Sequence, residues 1–339
     1  MLLGLDIGSS ALRACSLAIG EEGRRLEIFE AEDLPQGAVV NGIIRNAPAV
    51  IEALREILLR ADAEGAELVM ALPHSACYVQ EMTLPYGAHG YDVDIAREMI
   101  AGSIPGSWGD FNLAISPIQP SQPERALLAA APRAAVKALR HVAEQAGAKL
   151  VSIDAAPTVM INVAELCGEL RGSVALVDIG LKETRIVFTE NGGVYATSTI
   201  PKGGQDLTDA LQTTLNLTPQ EAEAYKLGGD SPDEGLVPRD VHEQLQHFCS
   251  ALSQGIARAL KEIPQRAHKR VPARVLTYGR TAQLSLFQQA LSSASGTTVV
   301  VAEALRHVQT NPLDFSPAYL NAVRAASGIA AGAVLPFTD

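Results

Sequence analysis

With 339 residues, 47% hydrophobic and 19% charged, the chain can bury two cores of ordinary size, and its composition excludes disorder over most of its length. A net charge of -11 is repelled by a phosphate backbone and makes nucleic acid a poor partner. The four cysteines, Cys15, Cys77, Cys167 and Cys249, form neither a Cys-x-x-Cys pair nor a disulfide framework. They read as small core residues of a reducing compartment, and the scattered histidines make no metal-ligand cluster.

The chain opens on Leu3-Gly4-Leu5-Asp6-Ile7-Gly8-Ser9-Ser10, an apolar run ending in Asp-Ile-Gly. Asp6 interrupts that run and no basic segment precedes it, so a signal peptide is not expected, and no spanning helix is expected further on. A second apolar run from Ala11 to Ile19, the turn Glu21-Glu22-Gly23 and a third run predict strand, Asp-x-Gly turn, strand, hairpin turn, strand. An Asp followed two residues later by Gly has a physical use. The glycine lets backbone approach a phosphate, and the carboxylate can hold waters of a Mg²⁺ ion.

After Leu34-Pro35-Gln36-Gly37, Asn46 can cap a helix whose apolar stripe is Val50, Ile51, Leu54, Ile57 and Leu58. Leu68 to Leu72 and Val79 to Leu84 read as strands, each stopped by proline. From Asp92 to Gly147 the pattern becomes a helix (Ile95 to Ile100), a Pro/Gly-broken stretch (Gly102 to Pro123), a strand (Arg125 to Ala131) and a helix (Ala134 to Gln145). That segment reads as a small α/β insertion. Lys149 to Asp154 is expected as a strand and Thr158 to Leu166 as a helix.

Leu176-Val177-Asp178-Ile179-Gly180 then repeats the opening motif, with a strand from Arg185 to Phe188 and the turn Asn191-Gly192-Gly193. Repetition strengthens the phosphate reading, because two such hairpins can hold one nucleotide. Leu207, Leu211 and Leu215 mark a helix, and Thr218-Pro219-Gln220-Glu221 is a capping box opening the next. The loop Gly228 to Pro238 ends that helix. A long amphipathic helix follows with Val241, Leu245, Phe248, Leu252, Ile256 and Leu260, and then a short strand, Arg274 to Thr277, before Tyr278-Gly279. The basic run Lys261 to Arg274 reads as a solvated face.

The order of Asp6-Ile7-Gly8-Ser9-Ser10, Asp178-Ile179-Gly180, Pro201-Lys202-Gly203-Gly204, Glu221-Ala222-Glu223-Ala224-Tyr225-Lys226, Thr277-Tyr278-Gly279-Arg280 and Gly328-Ile329-Ala330 resembles the actin-like ATPases. Leu34-Pro35-Gln36-Gly37, Asn41-Gly42, Leu207-Thr208, Asn311-Pro312 and the placement of the insertion narrow the resemblance to the FtsA and PilM branch, and most to the PilM family of type IV pilus assembly. It implies an α/β fold, actin-like (ribonuclease H-like, duplicated) and two-domain. Residues 1–91 and 148–171 would form domain I and 92–147 the insertion. Residues 172–339 would form domain II, with a helical subdomain near 211–272.

The resemblance further implies ATP held by Asp6, Gly8, Ser9 and Ser10, by Asp178 and Gly180, by Glu223 and Lys226 at ribose and adenine, and by Gly279. Mg²⁺ would be held through water by Asp6 and Asp178. Three departures bear on turnover. Tyr278-Gly279-Arg280 stands where the family has Gly-Gly, Leu181-Lys182-Glu183 where small or hydroxyl residues follow the glycine, and Ala156-Pro157 where superfamily members often carry Glu-Pro. Hydrolysis is therefore expected to be weak or lost. The implied function is a cytoplasmic scaffold, peripheral to the inner membrane without direct insertion, that docks the cytoplasmic tail of a PilN-like membrane partner. Self-association is compatible with it. An actin-like component of a type II secretion system and a sugar-kinase-like enzyme are the alternatives.

Overall fold

A computed structural model describes every residue except 21–22, 41, 74–75, 102–107, 120, 229–238, 324–326 and 339. The turn at Glu21-Glu22, Asn41, the first part of the stretch after Gly102 and the loop after Gly228 lie outside the described residues. The chain forms two compact units. The first comprises Met1–Glu169, Gly193–Tyr195 and Ala304–Asp339, the second Leu170–Gly192 and Ala196–Glu303.

The first unit begins with β1 (Leu2–Ile7), β2 (Ala11–Gly20) and β3 (Gly23–Asp33), an antiparallel meander. The short β4 (Val39–Val40) and β5 (Ile43–Ile44) lead to α1 (Ala47–Arg60), whose Asn46 cap accepts from the Ala49 N–H. Next come β6 (Glu67–Leu72), β7 (Tyr78–Thr83), the small hairpin β8 (Tyr86–Gly87) and β9 (Gly90–Tyr91), and α2 (Val93–Ile100). β10 (Phe111–Gln119), β11 (Gln122–Pro132), α3 (Arg133–Gln145), β12 (Lys149–Ala155) and α4 (Ala156–Leu166) complete this part. The main sheet has the order β12-β6-β1-β2-β3, with β12, β6 and β1 parallel. Its alternating residues fill two layers. Leu3, Leu5, Leu68 and Met70 face the core built with α1 and α3, while Val69 and Ala71 pack with Val159 and Ala333 on the other side.

The insertion differs from its expected bounds. Its three-stranded sheet is β10-β11-β7, so β7 belongs to it, and its core holds Leu84, Ala96, Ile100, Ala126, Leu128 and Ala130. α3, by contrast, buries Leu139, Val142 and Ala143 in the core with α1. The segment with its own core therefore runs from Tyr78 to Pro132. β10 falls inside the stretch read as broken. Its Pro117 is tolerated because the strand lies on the sheet edge and the register slips beside it, between Pro117 and Gln119.

The second unit carries β13 (Ser173–Ile179), β14 (Thr184–Glu190), the greater part of β15 (Gly193–Ile200), α5 (Gly204–Leu215), α6 (Pro219–Gly228), α7 (Arg239–Arg266), β16 (Arg274–Tyr278), α8 (Ser285–Ser295) and β17 (Thr298–Val301). Its sheet order is β15-β14-β13-β16-β17, with β13, β16 and β17 parallel. Read from the hairpin edge, both sheets run as a three-strand meander followed by two parallel strands, which is the duplication that the repeated motif predicts. At the β14–β15 turn Asn191 and Gly192 have φ of +50° and +82°, the left-handed conformations a tight hairpin needs. α5 packs on α6 and α7, and α7 on α8.

The last segment departs from the expected division, which kept residues 172–339 together. Ala304–Asp339 belongs to the first unit, with α9 (Pro317–Val323) and α10 (Gly328–Val334). Two contacts anchor it at the edge of β3. Gln309 exchanges backbone hydrogen bonds with Leu26 and Arg24, both at 2.8 Å, and the Tyr319 hydroxyl donates to the Phe29 carbonyl at 2.7 Å. A third lies behind β1. A Cβ on Gly4 would stand 2.2 Å from the Ala330 carbonyl oxygen, so only glycine lets the backbone of α10 press onto the strand. The sequence past Gly279 carries weak periodicity in short segments, which hides α8, β17 and α9.

Candidate functional site: two Asp-Ile-Gly turns

Each Asp-Ile-Gly turn sits at the C-terminal end of a parallel strand pair, the edge at which open α/β sheets bind ligands. In the first unit Ile7 and Leu12 close the ladder, and the Gly8 N–H donates to the Ala11 carbonyl at 3.0 Å. In the second, Ile179 and Thr184 close it, and the Gly180 N–H donates to the Glu183 carbonyl at 3.0 Å. Ser9 and Ser10 are half-buried beside Gly8, and the Ser10 carbonyl accepts from the Leu34 N–H. Both turns have the same length and the same closing hydrogen bond, so the likeness of the two sequences is a likeness of backbone.

Each aspartate also has the same neighbour. Asp6 lies in register with Arg13, and Asp178 with Arg185. Nη1 of each arginine stands 3.2 Å from Oδ2 of its aspartate. Arg185 takes a second carboxylate, donating from Nε to Glu183 Oε1 at 2.9 Å. These arginines were missed as site residues, although each lies seven positions after its aspartate, which in a four-residue turn is the position directly opposite. Arg13 thus balances Asp6, whereas Arg185 is shared between Asp178 and Glu183, and among the described residues no group of three or more His, Cys, Asp or Glu could hold a metal ion. Asp6 and Asp178, the residues expected to hold Mg²⁺ through water, each have an arginine partner.

Around the second turn the helices close in. The N–H groups of Gly204 and Gln205, at the start of α5, donate to the carbonyls of Gly180 and Leu181 at 2.9 and 2.7 Å. A Cβ on Gly203 would stand 2.6 Å from both of those oxygens, and one on Gly204 2.8 Å from Thr281 Oγ1. The glycine pair therefore docks a helix onto the turn. Gly279 has φ of +93°, and a Cβ there would lie 2.4 Å from the Ile179 carbonyl oxygen. Gly180, Gly203, Gly204 and Gly279 thus meet at one backbone knot.

Glu223 and Lys226 are together, but they are not a surface pair. Lys226 is 3% exposed, and its Nζ stands 2.5 Å from Glu223 Oε2, 3.0 Å from Thr208 Oγ1 and 3.4 Å from the Gly204 carbonyl. Burial pushes its pKa below the ordinary lysine value, against the opposing pull of Glu223, and Arg280 lowers it further. Glu223 Oε1 faces Arg280 Nη1 at 3.8 Å, and the Arg280 side chain is 43% exposed. One carboxylate between two cations leaves a local positive surplus, with its exposed part on Arg280. Tyr278 is buried at the end of β16, in register with Asp178. Lys182 is exposed, the ordinary place for a lysine on a turn.

At the other parallel strands the two units diverge. Asp154 lies beside Ala71 on β6, and continuing the Leu5–Met70 register by one residue puts Asp6 on the other side of Ala71. Burial pushes the Asp154 carboxyl above the usual range. Ala156 and Pro157 open α4 without a side-chain cap, and both are buried, so no carboxylate stands at the Glu-Pro position. All four cysteines are free thiols, two buried and two half-buried.

The chain matches the family model described as type IV pilus assembly protein PilM over residues 4–335. Among solved structures it is similar to a chain of the PilM-PilN type IV pilus biogenesis complex, with 21% identity and a TM-score of 0.86, over 100% of this chain and 98% of that one. It is similar in fold to the ethanolamine utilization protein EutJ of Carboxydothermus hydrogenoformans (18% identity, TM-score 0.56, 98% and 88% of the two chains). The fold of MreB5 of Spiroplasma citri bound to ADP is also similar (14% identity, TM-score 0.53, 91% and 93%). The cell division protein FtsA of Bacillus subtilis (strain 168) is 33% identical over 88 residues, 26% of this chain and only 20% of FtsA. With an actin-like two-domain α/β fold and a family match over residues 4–335, the chain belongs to the type IV pilus assembly protein PilM family.

Proposed function

We propose that this chain is an actin-like scaffold of type IV pilus assembly that binds a nucleotide and docks the cytoplasmic tail of a PilN-like inner-membrane partner. The observation that carries the reading is the family match over residues 4–335. The nucleotide is supported by the duplicated turns at the ligand-binding edge of each sheet, and by a fold relative described as bound to ADP. On this reading Asp6, Gly8, Ser9 and Ser10 serve one turn and Asp178 and Gly180 the other. Glu223 and Lys226 serve ribose and adenine, with Lys226 held against Thr208, and Gly279 completes the set. Turnover is slow, because Ala156 offers no group to orient water and phosphoryl transfer depends on positioned groups.

The protein works in the cytoplasm, held at the inner membrane through its partner; among the described residues no helix is long and apolar enough to cross a membrane. We assign partner docking to the subdomain from Tyr78 to Pro132, where Tyr86, Val93, Ile95 and Met99 are exposed. A pull-down with the tail of the membrane protein encoded beside this chain tests the reading. Capture is expected from the parent and lost in Ile95→Asp/Met99→Asp. Failure of the parent to capture the tail, with and without nucleotide, would end the docking assignment.

A further inference from the structure

The end of the second sheet opposite its Asp-Ile-Gly turn is strongly cationic. α7 ends at Arg266, the chain turns back, and β16 starts at Arg274 beside Val174 of β13. Six cations gather along this end: Lys261 and Arg266 on the last turns of α7, Lys269, Arg270 and Arg274 leading into β16, and Arg171 just before β13. Five of them are exposed and Lys269 is half-buried. The carboxylates beside them are Glu262 and Glu190, with Glu169 close to Arg171 in the chain. Arg266 takes Glu262 at 3.1 Å and Lys269 takes Glu190 at 2.7 Å. Lys261, Arg270 and Arg171 have no carboxylate partner among the described residues. The surplus of positive charge stands out in a chain whose net charge is -11.

The backbone that presents these cations is pinned. The Ala273 N–H donates to the Ser173 carbonyl at 3.0 Å, the Ser173 hydroxyl to the Arg270 carbonyl at 3.3 Å, and the Lys269 N–H to the Pro264 carbonyl at 2.8 Å. Val271, between Arg270 and Pro272, is 47% exposed. Cations around an exposed aliphatic side chain suit the interface of an anionic bilayer. Each guanidinium or ammonium near the headgroup phosphates favours contact by about fivefold, and the aliphatic tip can enter the boundary shallowly. Other anionic partners fit less well. One phosphate needs converging donors, whereas these charges are spread over the end of α7, the connection to β16 and the approach to β13. Single-stranded nucleic acid needs aromatic platforms for its bases, and residues 258–274 hold no Phe, Tyr or Trp.

We propose that this end of the second unit, with Arg171 and Arg270 flanking the start of its sheet, is a contact surface for anionic lipid headgroups, through which the protein touches a bilayer directly. The inference uses neither the nucleotide nor the tail-docking reading, and it can fail with both standing. The full-length protein is sedimented with vesicles of phosphatidylcholine alone and with vesicles of phosphatidylcholine mixed with phosphatidylglycerol. Sedimentation with the mixed vesicles only is expected, fading as salt is raised because exposed charges are screened. Arg171→Glu/Arg270→Glu should weaken it by about tenfold or more. Lys182→Glu/Arg239→Glu makes the same change in net charge at exposed positions on the turn after β13 and at the start of α7. It should stay within about threefold of the parent. Circular dichroism checks that each variant is folded. A parent that stays in the supernatant with the mixed vesicles overturns the proposal, and so does Arg171→Glu/Arg270→Glu sedimenting like the parent or no more weakly than the control variant. Polyglutamate bound by a parent that ignores the vesicles also overturns it, and assigns the face to an acidic protein.

Discussion

The two Asp-Ile-Gly turns share their length, closing hydrogen bond and Asp–Arg pair, yet they are supported in opposite ways. Around the first turn the tight packing lies behind the strand, where Gly4 admits the backbone of α10. Around the second it lies at the turn itself, where Gly203, Gly204 and Gly279 bring α5 and the end of β16 onto Gly180 and Leu181. The rows beside the aspartates differ too. Asp6, Ala71 and Asp154 line one sheet edge, and the same positions of the other hold Asp178, Tyr278 and, continuing the β16–β17 register, Ala302. Duplication has thus kept the turn and let its surroundings diverge: the first copy keeps an extra carboxylate, and the second gains a buried lysine and a packed helix.

The largest effect should come from breaking the knot that only the second copy has. Gly279→Ala would place a Cβ 2.4 Å from a backbone oxygen at a φ of +93°, and neither neighbour is a flexible side-chain tip. We expect a loss of about 3 kcal/mol or more. Gly8→Ala, with its nearest contact at 3.0 Å and ordinary φ, should cost about 1 kcal/mol. Urea denaturation measures both, and equal losses would mean that the two turns are packed alike.

Next in size is Lys226→Met. It removes the buried ammonium and leaves Glu223 Oε2 and Thr208 without that partner, which should cost about 2 kcal/mol, discounted because Glu223 keeps some solvent and Arg280. Lys182→Ala, at an exposed position of the same turn, should change stability by less than about 0.5 kcal/mol. The pH dependence supplies a sign. Because burial holds the folded lysine pKa below its unfolded value, the unfolded chain binds more protons in the interval between the two. The parent should therefore gain stability relative to Lys226→Met as pH rises through that interval toward the ordinary lysine pKa. A gap that shrinks instead would show that the ammonium is not the strained form.

How far the sequence disclosed this comparison depends on the range of the forces involved. The motifs Asp6-Ile7-Gly8 and Asp178-Ile179-Gly180, and the helices from Ala47 and Pro219, announce themselves because turn chemistry and capping act within a few residues. The burial of Lys226 is not legible locally because it comes from α5, eighteen residues upstream at Thr208. Arg13 and Arg185 were in plain view but carry meaning only once the four-residue turn fixes the register. α10 belongs to the first unit through Gly4, more than three hundred residues away in sequence, and no local pattern carries that. β10 was hidden by Pro117, which an edge strand accommodates.

Third, the two arginine pairs should differ in strength. Arg185→Ala strips a cation from Asp178 and Glu183 together, and Arg13→Ala from Asp6 alone. For part-buried pairs this predicts losses of about 2 and about 1 kcal/mol. Thermal melts of the two variants side by side check the order, and a larger loss for Arg13→Ala would reverse the assignment of the more tightly built turn.

The smallest effect concerns the carboxylate that only the first copy keeps. Asp154 is penalised by burial when ionised, so its folded pKa lies above the unfolded one. In the interval between them the folded chain binds more protons, so stability falls as pH rises through it, and the penalty is complete at neutral pH. Asp154→Asn removes the charge with little change in shape. It should stabilise the protein at pH 7 by on the order of 0.5 kcal/mol, a gain that fades as the pH falls toward the ordinary aspartate range. Asp154→Ala, which makes the first row resemble the second with its Ala302, should gain less, because truncation leaves space beside Ala71. A destabilised Asp154→Asn at neutral pH would mean that the ionised carboxylate is held by a favourable partner, and the first copy would then be as fully satisfied as the second.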